Sequence, residues 1–407
     1  MNLKLKTSLD YYAGGIIHFL LKPFVYFLGI VLGRDHSLEG VGEVTVLKML
    51  GGGSLVIAYP SLLALKAARP GLRLNLVTTP PIRDFAELLG VFDEIIVLRD
   101  DHAFHLALDS LRAIARLWCT PALIDLEIHS RLSSIFSLLT CARNRIGIYT
   151  DDSYWRRSLY THLLFYNEYA PVYLAYDQIV RLFGAPPGDY PSAKAAFRAA
   201  HPEKPGLVPV QARVRMGVAP ACSDLGRERM LSPAQWISVL GKKLALEKDC
   251  ALLFIGGKRD GVMAEEIISG LRQSFPQAEF HNCCGQFTLR DSVALIAQLD
   301  ALYCIDSGLI HFARLLQVKT LSFWGPTDPA ARLRPAPGVQ EETHYLRLSC
   351  SPCVHIAAEA PCYGNNLCMS AAVEGEAYAG DRNPLWPAQP KPDLRHLQPP
   401  RDESSMM

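Results

Sequence analysis

The chain has 407 residues, with 41 Lys plus Arg, 40 Asp plus Glu and a formal net charge of +1. Hydrophobic residues make up 49%, enough for two sizeable cores, which excludes a disordered, collagen-like or disulfide-rich small protein. The near-zero charge argues against a nucleic-acid partner, and eleven cysteines in so long a chain do not indicate a secreted disulfide framework. We therefore expect a cytoplasmic catalytic body.

Residues 11–32 form an apolar segment whose one charge is Lys22. A continuous helix of this length would be about 33 Å long, enough to cross a bilayer. Because Lys22 and Pro23 lie at its centre, two apolar halves in a re-entrant or interfacial anchor fit as well as a span. A buried core helix is the alternative. We expect residues 1–36 to associate with the cytoplasmic face of an inner membrane.

From residue 43 the chain alternates between strand, loop and helix, which predicts parallel βαβ units. The predicted strands of this first part cover 44–47, 72–78, 94–98 and 122–126, and the predicted helices cover 55–68, 85–89, 106–117 and 131–139. The pattern fades between residues 184 and 209, where prolines and glycines cluster. We interpret 37–190 as one domain and 191–210 as a linker.

The alternation then resumes, which predicts a second doubly wound domain over 211–377. Its predicted strands cover 215–218, 251–255, 301–305 and 318–324, and its predicted helices cover 233–246, 261–274, 289–299 and 309–316. Residues 378–407 are rich in proline and polar residues and are predicted to form a flexible tail. Two such domains with a cleft between them are typical of ligand-binding proteins, because ligands bind at the carboxyl ends of parallel strands.

The most informative segment is Asp306-Ser307-Gly308-Leu-Ile-His311, where an apolar strand ends and a helix begins at once. Backbone N–H groups at such a helix start can hold a diphosphate. Asp306 or Ser307 acting only as a helix cap is the equal alternative. The next strand ends in a second glycine-containing loop, Phe-Trp-Gly-Pro-Thr-Asp-Pro, over 323–329.

Together these two segments resemble the signature of glycosyltransferase family 9, the lipopolysaccharide heptosyltransferases. The resemblance runs from about residue 44 to residue 369 and includes Gly53-x6-Pro60 and the segments 122–127, 145–147, 219–229 and 254–257. It implies an α/β protein of the GT-B fold, in which two Rossmann-like doubly wound domains face a central cleft. The first domain would bind the acceptor and the second a nucleotide-sugar, with ADP-heptose as the family's usual donor.

The resemblance also implies a donor site, and inverting transfer without a cofactor or an essential metal. The implied donor-binding residues are Ser223, Arg229, Gly256, Gly257, Asp306, Ser307, Gly308 and His311. The leaving group is a nucleoside diphosphate, so backbone amides and a fixed cation would stabilise the charge that grows there.

The first loop departs from the family pattern at the general base. The family has Gly-Asp there, and this chain has Ser54, whose hydroxyl is too weakly basic to deprotonate an acceptor unaided. Glu127, at the end of the 122–126 strand, is our candidate for the base, and Asp125, His129 and Asp151 are weaker ones. A solvated carboxylate at a strand end is the alternative for Glu127.

Two further clusters are weaker signals. The polar and aromatic residues of 160–162 and 166–167 line an acceptor site or belong to an ordinary surface loop. Four cysteines near the end of the second domain offer thiolates for zinc, although a structural loop is the preferred interpretation. They are Cys350, Cys353, Cys362 and Cys368.

The sequence thus predicts an inverting, metal-independent glycosyltransferase that moves a sugar from a nucleotide donor, an ADP-sugar being favoured, to a lipid-linked or envelope polysaccharide acceptor. One alternative is a nucleotide-sugar epimerase, which would need no membrane anchor. The other is a catalytically silent nucleotide-sugar-binding subunit, which the serine at position 54 favours.

Overall fold

The computed structural model describes residues 3–375 except for 203, 205, 224, 225, 355, 358, 359, 361, 363 and 364. The predicted tail, 378–407, lies outside the described residues. The first half contains six strands: β1 (Glu43–Leu47), β2 (Arg73–Thr78), β3 (Glu94–Val97), β4 (Ala122–Asp125), β5 (Asn144–Tyr149) and β6 (His162–Phe165). Its α-helices are α1 (Leu3–Leu32), α2 (Gly52–Ala68), α3 (Pro80–Leu89), α4 (Ala103–Arg116), α5 (Arg131–Leu139), α6 (Val172–Arg181) and α7 (Tyr190–Ala200).

The second half repeats this alternation. Its strands are β7 (Val214–Ala219), β8 (Cys250–Phe254), β9 (Glu279–Asn282), β10 (Ala301–Ile305), β11 (Lys319–Trp324) and β12 (Glu341–Tyr345). Its α-helices are α8 (Pro233–Leu246), α9 (Gly261–Ser274), α10 (Leu289–Ile296), α11 (Gly308–Leu315), α12 (Pro329–Arg332) and α13 (Leu367–Glu374).

Both halves have the same sheet topology. The first sheet has the order β3-β2-β1-β4-β5-β6 and the second the order β12-β11-β10-β7-β8-β9, with every pairing parallel. Each order is that of a doubly wound Rossmann sheet, so the predicted α/β class with two such domains is confirmed. The strand order reverses between β1 and β4 and between β7 and β10, and a ligand crevice is expected at each reversal.

The two domains pack on each other through aromatic side chains. Phe312 of α11 stacks on Phe85 of α3, with ring centroids 5.6 Å apart, and on Phe197 of α7, at 5.7 Å. One buried apolar cluster continues from the first domain into the second through these rings. The carboxyl ends of the strands near each reversal are thereby held close to the same cleft.

Helix α1 is continuous through Pro23, so the break at Lys22-Pro23 that the sequence left open does not occur. Proline removes one backbone donor, and the packing of α1 against α5 supports the helix on both sides of that position. Among the described residues, no helix has both the length and the hydropathy of a bilayer-crossing segment.

The structure places a helix within the predicted linker and adds strands that the sequence analysis missed. Helix α7 occupies much of 191–210, and its N-cap is Asp189, whose carboxylate accepts from the Ser192 amide. The unpredicted strands are β5, β6, β9 and β12. Three of these, β6, β9 and β12, lie at sheet edges and are mostly half-buried, and β9 and β12 consist largely of polar residues, so the apolar run that marks a buried strand is missing from these two.

Candidate active site

The second domain brings Asp306 and Arg229 together at the reversal between β7 and β10. Arg229 ends a short 3-10 helix after β7, and its Nη1 lies 3.2 Å from Oδ2 of Asp306, directly after β10. Burial by itself would raise the pKa of Asp306, but Arg229 and then Arg332 lower it overall. Asp306 is therefore ionised and holds the Arg229 guanidinium at the strand ends.

The start of α11 lies beside this pair. Ser307 is the N-cap residue, yet its side chain makes no capping bond, and its buried Oγ has no hydrogen-bond partner among the described residues. The capping alternative is therefore wrong for Ser307. The orphaned hydroxyl and the free N–H groups of the first helical turn together offer donors to an anion.

His311 lies one turn into α11 and is 5% exposed. Burial lowers its pKa to about 3, an effect that the Asp306 carboxylate only partly opposes. The imidazole is therefore neutral at pH 7 and can donate or accept one hydrogen bond without adding charge.

Two glycines allow the first domain to approach this helix start. A Cβ on Gly53, near the start of α2, would lie 3.4 Å from both Gly308 Cα and His311 Cδ2. A Cβ on Gly308 would lie 2.8 Å from Cε1 of Phe85. The absence of side chains at both positions therefore lets the N-termini of α2 and α11 converge on one region of the cleft, with their positive dipole ends together.

Glu127 lies at the strand end where the sequence predicted it, and it holds the loop that leads into α2. Its Oε1 accepts hydrogen bonds from the backbone N–H groups of Met49 and Leu50 and from Nζ of Lys48, at 2.6, 2.9 and 3.1 Å. Glu127 is 8% exposed, and Oε2 has no partner among the described residues. One carboxylate oxygen therefore anchors the loop, and Glu127 stays a candidate base through the other.

Asp125 is wrong as a candidate base. Its side chain is fully buried and forms an ion pair with Arg156, with Oδ2 and Nη2 2.5 Å apart. It also accepts hydrogen bonds from the Tyr160 hydroxyl, the Ser133 hydroxyl and the Glu127 backbone amide. All of these partners are internal, so Asp125 stabilises the β4 end and cannot meet an acceptor.

Ser54 lies close to Tyr176 of α6. Burial raises the pKa of this tyrosine to about 12, and the Arg332 charge and a hydrogen bond with Ser54 oppose that rise. The two remaining weaker base candidates, His129 and Asp151, are exposed at the ends of β4 and β5. The cleft edge of the first domain therefore contains the hydroxyl groups of Ser54 and Tyr176 and the carboxylate of Glu127, which the loop amides hold in place.

The sequence analysis missed Arg332, the last residue of α12. Arg332 lines a small space between the domains together with Val56 and Ile57 of α2 and His311 of α11. From there its charge lowers the pKa of Asp306 and opposes the burial effect on the pKa of Tyr176. Arg332 forms no ion pair among the described residues. The sequence did contain a sign of its position. Asp328 is a typical helix-capping residue at the end of the Gly-Pro-Thr-Asp-Pro loop, and the helix that it caps places Arg332 one turn after that loop.

The other predicted donor residues lie at the same edge of the second sheet. Gly256 and Gly257 follow β8, where the Asp260 carboxylate accepts from the Gly257 amide at 2.7 Å. Ser223 is exposed in the loop after β7. The structure thus brings the loops after β7, β8 and β10 together, as the sequence predicted.

The two weaker clusters have structural explanations. Tyr160 is buried against Asp125 and Arg156, and 162–165 is strand β6, so the first part of this cluster has a structural role. Tyr166 and Asn167 lie in the loop that follows β6, and an acceptor site there stays a prediction. The described residues contain no group of three or more side chains arranged for a metal ion. Burial raises the pKa of Cys368 to about 11, and the neighbouring Cys353 contributes to that rise. Zinc binding by Cys350, Cys353, Cys362 and Cys368 stays a prediction that metal analysis of the purified protein would test.

The second domain matches a known family. Residues 209–363 match the model of glycosyltransferase family 9 (heptosyltransferase). Lipooligosaccharide heptosyltransferase 2 of Haemophilus ducreyi is 36% identical over 90 residues, which cover 22% of this chain and 26% of that protein. The Campylobacter jejuni enzyme of the same name is 27% identical over 126 residues, 30% of this chain and 39% of that protein. The chain thus spans between a quarter and two fifths of the length of these relatives, and its resemblance to the family is confirmed.

Solved structures extend the likeness to both domains. A family 9 glycosyl transferase from Veillonella parvula superposes with a TM-score of 0.58 at 16% identity, covering 77% of this chain and 88% of that one. The E. coli ADP-heptose lps heptosyltransferase II gives 0.56 at 15% identity, with 82% and 98% covered. E. coli heptosyltransferase WaaC with ADP gives 0.52 at 16% identity, with 74% and 92% covered. The fold of this chain is that of these heptosyltransferases.

Proposed function

We propose that this protein is an inverting glycosyltransferase that moves a heptose or a similar sugar from an ADP-sugar to an acceptor of the lipopolysaccharide type. One observation carries the proposal: Arg229, Arg332, the orphaned Ser307 hydroxyl and the first turn of α11 meet where the second sheet reverses its strand order. This is the set of groups that a nucleoside diphosphate requires, namely two cations and several N–H and O–H donors. The solved relative with ADP and the match over 209–363 support the identity of the nucleotide.

In this proposal an acceptor hydroxyl attacks the anomeric carbon of the donor while the bond from that carbon to the diphosphate oxygen breaks. The electron pair leaves with ADP, where Arg229 and Arg332 stabilise the growing charge without an essential metal. The hydroxyl proton passes to Oε2 of Glu127, while Oε1 stays bound to the 49–50 amides. Tyr176 and Ser54 would orient the hydroxyl beside it.

The donor site is tested by calorimetric titration of ADP, with and without EDTA. We expect Arg229→Ala to weaken ADP binding about 10- to 100-fold, because a hydrogen bond to a charged group contributes about 1.5–3 kcal/mol. Arg83→Ala removes an exposed arginine that pairs with Glu87 and is the matched control. Equal affinity in all three proteins, or no ADP binding by the wild type, contradicts the proposal.

The base is tested by Glu127→Gln, which keeps the side-chain shape and the amide acceptor. We expect turnover with ADP-heptose and a lipopolysaccharide acceptor to fall about 10²- to 10⁴-fold while ADP binding is retained. If turnover of the folded variant is unchanged and only its stability falls, Glu127 is an anchor and another group is the base.

The silent binding subunit is the second candidate, and Ser54 in place of the family's aspartate is the observation that favours it. It predicts ADP-sugar binding without transfer or hydrolysis. Ser54→Asp then distinguishes the two functions. If the protein is silent only because it lacks a base, the Ser54→Asp variant transfers the sugar and the wild type does not. If the protein is an enzyme that uses Glu127, the wild type already transfers the sugar.

A further inference from the structure

Helix α1 has an apolar outer face that nothing in the described chain covers. Six large apolar side chains on this face are between 62% and 79% exposed: Tyr12, Ile16, Phe19, Leu20, Phe27 and Val31. The row extends over about 28 Å of helix. An exposed apolar row of this length marks a surface that binds a partner or a membrane.

The opposite face of α1 is already occupied. Gly14 and Gly15 contact the side chain of Arg131, and Leu21 and Val25 pack on the buried cluster of Leu138, Leu159 and Tyr160. The helix therefore lies along the domain surface over most of its length. A helix that is held this way presents one face outwards, which is the geometry of a helix lying in the plane of a membrane interface rather than across it.

A cavity of about 180 Å³ lies on the inner side of α1, between this helix and the end of α5. Its walls are largely apolar, and its polar lining comes from Arg34, His36 and Arg145; the apolar lining residues are Leu21, Val25, Leu32, Trp118, Leu138 and Leu139. Trp118 is itself 60% exposed, so the apolar surface extends from α1 onto the end of α4.

The two arginines of the cavity have no carboxylate partner among the described residues. Arg34 donates to the Cys141 carbonyl oxygen at 2.7 Å, and Arg145 donates to the carbonyl oxygens of Leu159 and Ala142 at 3.0 and 2.9 Å. Two positive charges beside an apolar cavity are complementary to an amphiphile with a negatively charged head. Phosphate headgroups form bidentate contacts with guanidinium groups.

We propose that α1 and this cavity form a docking surface for a bilayer that contains anionic phospholipids. The helix lies parallel to the membrane with its six exposed apolar side chains among the acyl chains and with Trp118 at the interface. A lipid phosphate contacts Arg34 and Arg145, and an acyl chain enters the cavity. This surface is separate from the cleft, so the proposal stands or falls independently of the transferase activity.

The first experiment is co-sedimentation of the full chain with vesicles of phosphatidylcholine alone or mixed with phosphatidylglycerol. We expect binding to the mixed vesicles to be at least tenfold tighter. Phe19→Asp with Phe27→Asp should abolish binding, and Arg34→Gln should weaken binding to the mixed vesicles about fivefold without changing binding to neutral ones. Both phenylalanines are outward-facing, and unchanged circular dichroism and ADP binding show that the variants are folded.

Leu246→Asp is the matched control, because Leu246 is an 85% exposed apolar residue at the end of α8 in the other domain. Equal binding of the wild type and the double variant overturns the proposal. A dimer in analytical ultracentrifugation that the double variant loses, without any vesicle binding, assigns the face to a second copy of the chain and also overturns it. Membranes washed with alkaline carbonate should release the protein, whereas retention indicates a span and contradicts the in-plane helix.

Discussion

At the scale of single residues, His311 is a neutral side chain that is buried close to the charged groups of Asp306 and Arg332. Its side chain packs where α11 meets the first domain, close to Gly53, and Asp306 and Arg332 both act on it. The neutral imidazole therefore adds no charge beside the Arg229–Asp306 ion pair. Its burial also makes the fold sensitive to acid.

We therefore predict a loss of stability as the pH falls below about 6.5. Below this pH His311 binds a proton in the unfolded protein, but it stays neutral in the folded protein, where its pKa is about 3. The loss from this residue is about 1.4 kcal/mol for each pH unit between these two values. Urea unfolding at pH 7, 6 and 5 measures it. His311→Asn should flatten this dependence, whereas His102→Asn, at an exposed histidine, should leave it unchanged. A parallel decline in all three proteins contradicts the assignment.

At the scale of elements, α1 is joined to the domain by the cap that it supplies to α5. The Asp10 carboxylate accepts hydrogen bonds from the Ser130 hydroxyl at 2.7 Å and from the backbone N–H groups of Arg131 and Leu132 at 2.9 and 2.8 Å. The local N-cap, Ser130, accepts only from the Ser133 amide, so Asp10 satisfies further donors at the start of α5. A single carboxylate thus fixes the direction of α1 relative to the sheet.

Asp10→Ala is expected to reduce the free energy of unfolding by about 1–2 kcal/mol, the value of a lost helix cap. It should also make α1 the first segment that a protease removes. Asp35→Ala is the control, since Asp35 forms a surface pair with Arg143 that contributes little. Equal protease resistance of the Asp10 and Asp35 variants would show that α1 is held by its apolar packing alone.

At the scale of the whole molecule, a buried hydrogen-bonded cluster around Arg334 joins the two domains. Its guanidinium donates two hydrogen bonds to the Asp177 carboxylate of α6, at 2.9 and 3.0 Å, and one to the Ser61 hydroxyl of α2, at 3.0 Å. Arg334 follows the end of α12 by two residues, so its hydrogen bonds also hold Arg332 in the cleft.

Arg334→Ala leaves the Asp177 charge buried without its partner, which typically costs about 3–5 kcal/mol. We expect a lower urea midpoint and a larger radius of gyration in small-angle X-ray scattering, because the domains separate. Arg334→Lys should give an intermediate result, since lysine keeps the charge and loses the paired geometry. An unchanged radius in the folded Ala variant would mean that the aromatic contacts alone set the domain arrangement.

Several features were predictable because they depend on short stretches of chain. The strand ends at 303–311 and 323–329 and the nearness of Glu127 to the first loop follow from apolar runs that stop at polar turns, and parallel strands place such turns at one edge. The edge strands β9 and β12 were not predictable in this way, because half-buried strands carry polar side chains, and β6 has an apolar run of only three residues.

The sequence by itself determined the two α/β domains, the resemblance to family 9 and the set of candidate donor loops, because each of these depends on local periodicity and motif spacing. Only the tertiary structure decided which carboxylates are accessible, because burial and pairing of Asp125 with Arg156 depend on contacts 31 residues apart. It also decided that Arg332 reaches the cleft, that Arg334 joins the two domains through hydrogen bonds and that α1 lies along the surface. These outcomes depend on how distant elements pack, and no local pattern in the chain specifies that.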